Sequence, residues 1–132
     1  MKPEDIVGTW RMVGYHCRTA EGEELAPTYG PEPIGLIRFD RHGRMVVVIA
    51  DGRTELPEEL SQRPFTAYTG SWSFDGKLLK NTVDRSFITE FVGTTQTREA
   101  RYVNGRLSLI PPVVVIDGVP THRELVWEKI QD

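Results

Sequence analysis

Cysteine is nearly missing from this chain. With Cys17 alone, no intrachain disulfide is possible, and the sequence fits a reducing compartment. Basic excess is missing as well. The formal net charge is −3 over 132 residues, so there is no cationic footprint for nucleic acid. No apolar run approaches membrane-spanning length, and the opening MKPEDI holds no signal-peptide stretch, so the expectation is a cytoplasmic protein without membrane partners. The three histidines and the cysteine lack metal-ligand spacing. Nucleophile elbows, phosphate loops and dinucleotide fingerprints are also absent. Neither a metal nor a cofactor is expected.

Turns and alternation are what the chain does have. Glu21-Gly22, His42-Gly43, Asp51-Gly52, Asp75-Gly76, Asn104-Gly105 and Asp117-Gly118 interrupt runs rich in β-branched and alternating residues. Glycine after Asp or Asn suits tight hairpins, whose central residues need positive φ. The pattern predicts eight strands, near 8–20, 34–41, 44–51, 65–75, 77–87, 93–103, 106–116 and 119–130. Short helical turns are expected at Pro3–Ile6 and Leu56–Leu60. Consecutive antiparallel strands most economically close on themselves, which removes exposed edges. The expected fold is therefore all-β, a single-domain eight-stranded antiparallel up-and-down barrel, wide enough for side chains or one small ligand. Two connections, Glu21–Pro33 and Gly52–Pro64, are too long for hairpins and are expected at one mouth. Pro111-Pro112 should break ladder bonds in the seventh strand.

Strict alternation then assigns faces. It turns Trp10, Met12, Gly14 and His16 inward and Arg11, Val13, Tyr15 and Cys17 outward. Trp10 and Trp127 form an indole plug at one end, with His16 near the other. Tyr68, Trp72, Asn81, Arg85 and Arg123 point inward. On the sixth strand alternation leaves both faces open, and Gln96, Arg98, Ala100 and Tyr102 are favoured inside because Ala100 and Tyr102 make theirs the less polar set. The interior is thus aromatic-walled and partly cationic. A buried guanidinium is costly unless paired. Either internal carboxylates such as Glu124 or Asp84 reach these arginines, or water or an anionic ligand does.

Seven ordered stretches resemble one family. They are Gly8-Thr-Trp-Arg-Met-Val13, Tyr29-Gly-Pro-Glu-Pro-Ile-Gly35, Arg41-His-Gly-Arg-Met-Val46, Ala67-Tyr-Thr-Gly70, Phe91-Val-Gly-Thr-Thr-Gln-Thr-Arg98, Arg106-Leu-Ser-Leu-Ile-Pro-Pro112 and Leu125-Val-Trp-Glu-Lys129. Together they resemble the bacterial and fungal lipocalin-like domain family of the calycin group. The resemblance implies an antiparallel barrel, and in some similar proteins cyclase or isomerase activity in secondary metabolism. Relatives often carry a His-His pair where this chain has Asn81-Thr82.

Two functions follow as expectations. The first is a barrel that binds a small, partly aromatic or anionic metabolite through His16, Tyr68, Trp72, Asn81, Gln96, Arg98 and Arg123. The second is a cofactor-independent cyclase or isomerase acting on a polyketide-like substrate. There His16, the candidate catalytic residue, or Tyr68 moves a proton, and Arg98 or Arg123 stabilises an oxyanion. Outward-facing Val13, Val46 and Val48 would also suit a homodimer.

Overall fold

A computed structural model describes all residues from Met1 to Asp132. The strands are β1 (Gly8–Arg18), β2 (Pro33–Phe39), β3 (Arg44–Asp51), β4 (Phe65–Phe74), β5 (Leu78–Ser86), β6 (Thr95–Val103), β7 (Arg106–Ile110), β8 (Val114–Ile116) and β9 (Val119–Gln131). A four-residue helix, α1 (Pro3–Ile6), precedes them, and Thr89–Phe91 forms a 3-10 turn. Residues 56–60 hold one turn hydrogen bond, Leu60 N to Pro57 O, and no helix.

Each of β1 to β6 pairs antiparallel with the next. β9 pairs with β7 and returns to β1, from Thr9 opposite Gln131 to Arg18 opposite His122, which closes a barrel of eight strands. β8 stands outside that ring as a small hairpin with the start of β9. Pro111 and Pro112 separate it from β7, because prolines cannot donate to a ladder. The expected seventh strand is therefore two strands.

The two ends of the barrel differ in kind. Tight connections at 40–43, 75–77 and 104–105 gather at one end with α1. Residues 19–32, 52–64, 87–94 and the β8 hairpin gather at the other. Asn104 and Gly105 take φ of 53° and 77°, the left-handed pair that a two-residue hairpin demands.

The closed end is sealed by apolar packing. Trp10 is fully buried, and its indole N–H donates to the Ile6 carbonyl at 2.9 Å, which fixes α1 under the barrel. Lys129 lies 5.0 Å from the Trp10 ring centre, and Tyr102 meets that ring edge-on at 6.5 Å. Phe39, Met45, Val47, Leu79 and Leu107 complete the core above it. Burying a side chain of this size contributes about 1.5–3 kcal/mol, which makes this layer the anchor of the fold.

Two bulges overturn part of the face assignment. On β1, Met12 lies opposite Trp127 and Gly14 opposite Val126, so Val13 is an extra residue. A single extra residue reverses the facing of everything after it. Tyr15 and Cys17 consequently turn inward and are buried, whereas His16 pairs with Glu124 on the outer face. Trp127 faces Met12 and not Trp10, and Arg123 faces Cys17 and not Gly14. On β4 and β5, Thr69 lies opposite Arg85 and Gly70 opposite Val83, leaving Asp84 as the extra residue. Arg85, expected inside, is exposed. Gly70 sits at this bulge, where a Cβ would overlap the Thr82 carbonyl. Val46 and Val48 are exposed as alternation requires. No helix is long and apolar enough to cross a membrane.

Candidate functional site

A cavity of about 140 Å³ occupies the open half of the barrel. Ile37, Val47, Ile49, Leu109 and Leu125 give it apolar walls, and Trp127 borders it as well. Loop residues complete the lining: Tyr29 from the first long connection, Ile88 and Phe91 around the 3-10 turn, and Pro111 after β7. The second long connection contributes nothing to the lining. It braces the first, with Gly52 N donating to Glu32 O at 2.8 Å. Asp51, fully buried, accepts from Arg53 Nη2 at 2.6 Å, and Arg63 Nη1 donates to the Asp51 and Arg53 carbonyls at 2.7 and 2.6 Å.

Five of the seven sequence-derived site residues meet in this cavity: Tyr68, Asn81, Gln96, Arg98 and Arg123. Gln96 links two of them, since its Oε1 accepts from the Tyr68 hydroxyl at 2.7 Å and from Arg98 Nη2 at 2.9 Å. His16 and Trp72 do not take part. The Val13 bulge carries His16 to the outer face. Trp72 belongs to the closed end, where its ring packs on Phe39 and its indole N–H donates to Asp40 O at 2.9 Å.

Alternation missed five polar or aromatic residues of the lining. Tyr15 was hidden by the bulge. Tyr29 and Phe91 lie outside the strands, with no periodicity to read. Thr66 shares a face with Tyr68 and lies within the expected strand 65–75, so carrying its alternation two residues before Tyr68 reaches it. Trp127 was assigned to the floor, but it borders the cavity because the β1 register differs from the expected one.

The electrostatics are one-sided. None of the 17 lining residues is acidic. Neither Arg98 nor Arg123 takes part in any ion pair of the protein. The two carboxylates considered as internal partners are engaged outside. Glu124 accepts from Ser108 Oγ and from Arg18, and Asp84 accepts from Thr69 Oγ1 and pairs with Arg44 at 2.7 Å. Burial, reinforced by the nearby Arg123 charge, pushes the Arg98 guanidinium below its ordinary value. Burial likewise raises the Tyr68 phenol, against the pull of Arg98, and raises Tyr29 to about 12.

Four buried polar side-chain atoms have no hydrogen-bond partner within the protein: Thr66 Oγ1, Asn81 Oδ1, Arg123 Nε and Trp127 Nε1. All four belong to residues of this one lining. An unsatisfied buried polar group costs about 1–3 kcal/mol, so four of them in one lining is a concentration of unmet hydrogen bonding that water or another small molecule can answer. No three of the chain's His, Cys, Asp and Glu side chains come together as a metal site.

A family model described as a lipocalin-like domain matches residues 7–130. The comparison with curated proteins finds no match.

Proposed function

The chain belongs to the lipocalin-like domain family, matched over residues 7–130, and from that membership and the cavity's chemistry we propose that it binds a small anionic metabolite inside the barrel. One observation carries this reading: two guanidinium groups share a cavity that holds no carboxylate. A buried cation without a counter-ion costs several kcal/mol, and an oxyanion between Arg98 and Arg123 offsets that cost with charge-assisted hydrogen bonds. Tyr68, Asn81 and Gln96 orient the bound molecule, and the apolar walls favour a partly aromatic body.

The binding reading is preferred over a cyclase or isomerase. His16 stands outside the cavity. Tyr68, the remaining proton-transfer candidate, has its phenol pKa raised by burial, which suits a hydrogen-bond donor and not a base.

Calorimetric titration with benzoate and with neutral benzamide tests the reading. Benzoate should bind, benzamide should bind at least tenfold more weakly, and an Arg98→Leu/Arg123→Leu double variant should lose the difference. Equal affinity for the acid and the amide, or binding that survives the double variant, overturns it.

A further inference from the structure

The geometry points to a monocyclic aromatic acid that carries a ring hydroxyl, a hydroxybenzoate-like molecule, as the ligand class of this cavity. The inference rests on the anion-binding reading and narrows it by two independent observations, the polarity of the unpartnered atoms and the size of the space.

The unpartnered atoms are covered by their neighbours in the empty barrel, so each meets a ligand only after a side-chain adjustment, and they differ in what they then ask of it. Arg123 Nε and Trp127 Nε1 only donate, so both call for an acceptor. Asn81 Oδ1 only accepts, and it calls for a donor. Thr66 Oγ1 serves either role and stands on β4, one strand from Asn81. The donors come from β9 and the acceptor from β5, so they belong to different stretches of the barrel wall. A bare carboxylate answers the donors and leaves Asn81 unanswered. A molecule with an oxyanion at one position and a hydroxyl at another answers both sets.

Size sets the body between them. A cavity of about 140 Å³ is close to the roughly 150 Å³ that accommodates one benzene ring in a protein interior. Fused polycycles and long acyl chains exceed that volume and have to extend through the open mouth, where the apolar walls no longer cover them. The walls supply the matching surface, with Leu125, Ile49 and Leu109 against the ring and Trp127 at its border.

The test extends the titration to 2-, 3- and 4-hydroxybenzoate, 6-hydroxy-2-naphthoate and decanoate, with wild type, Thr66→Val and Asn81→Leu proteins. At least one hydroxybenzoate isomer should bind about tenfold more tightly than benzoate, the worth of one well-placed hydrogen bond. That gain, read within each variant as the ratio of hydroxybenzoate to benzoate affinity, should vanish in Asn81→Leu or in the near-isosteric Thr66→Val. Naphthoate and decanoate should bind more weakly than benzoate. If benzoate binds but no hydroxyl isomer gains, or the gain survives both substitutions, the hydroxyl assignment is wrong and the anion reading stands. Tighter binding of the naphthoate or of decanoate overturns the single-ring body. Absence of any benzoate binding removes the anion reading and this inference with it. Circular dichroism of each variant identifies a misfolded one, and Thr66→Val, which keeps the side-chain volume, carries the test if Asn81→Leu does not fold.

Discussion

Arg98 and Arg123 share one cavity, and neither has a carboxylate partner anywhere in the fold. Arg98 is held by Gln96 Oε1 and the Thr97 carbonyl, whereas Arg123 keeps its Nε without a partner. The two therefore differ in what their removal does to the empty protein.

Replacing Arg123 with leucine removes a half-buried charge that has no carboxylate partner and whose Nε has no hydrogen-bond partner. The apo protein should be unchanged or stabilised by about 1 kcal/mol, a rise of roughly 3–5 °C in Tm, while anion binding is lost. Differential scanning calorimetry reads the first effect and titration with benzoate the second. A fall in Tm of more than about 5 °C would show Arg123 to be a structural member.

Tyr29 keeps its proton in the folded protein to about pH 12, because burial disfavours the phenolate. The unfolded chain loses that proton near pH 10, its ordinary value. Between these values the folded state binds more protons, so stability is intact below pH 10 and declines as pH rises toward 12. Denaturation midpoints across pH 9–12 should show the decline in wild type and a shallower one in Tyr29→Phe. Identical slopes would place the titration elsewhere.

At the acidic end the direction reverses. The hydrogen bonds from Arg53 hold the Asp51 carboxyl below its ordinary value of 3.8. The stability it contributes is present above that value and is lost as pH falls through the lowered one. Asp51→Asn should unfold more readily at neutral pH and show a weaker dependence on acid. Urea titrations at pH 7 and pH 3 compare the two.

Gly70→Ala should cost about 3 kcal/mol, because the added Cβ overlaps the Thr82 carbonyl and the backbone of two strands must move apart. Equilibrium unfolding in urea measures it. A loss below 1 kcal/mol would mean that the bulge at Asp84 relaxes to accept the methyl group.

His16→Ala should leave affinity for benzoate within a factor of two, since the side chain lies on the outer face beside Glu124. A tenfold loss would mean that the outer face of β1 communicates with the cavity.

The barrel itself was plain in the sequence, since turn dipeptides and alternation need only local information. Asn104-Gly105 and Asp117-Gly118 carry the left-handed residues that such turns require. Alternation on β6 left its two faces open; the set with Ala100 put Gln96 and Arg98 in the cavity lining, whereas Tyr102 of the same set is exposed. Alternation failed at Val13 and Asp84, because a bulge is decided by how two distant strands fit and leaves no local mark. Tyr29 escaped for a related reason. Its position depends on how loop 19–32 folds over the mouth, and alternation says nothing about loops.

The three indoles are unequally placed. Trp10 and Trp72 are tied by hydrogen bonds at the closed end, and only Trp127 borders the cavity. Light absorbed by the first two reports on an environment that a guest does not touch. Emission from the third should change when the proposed ligand binds, so occupancy should be readable optically in the unlabelled wild-type protein, with Trp127→Phe as the silent control.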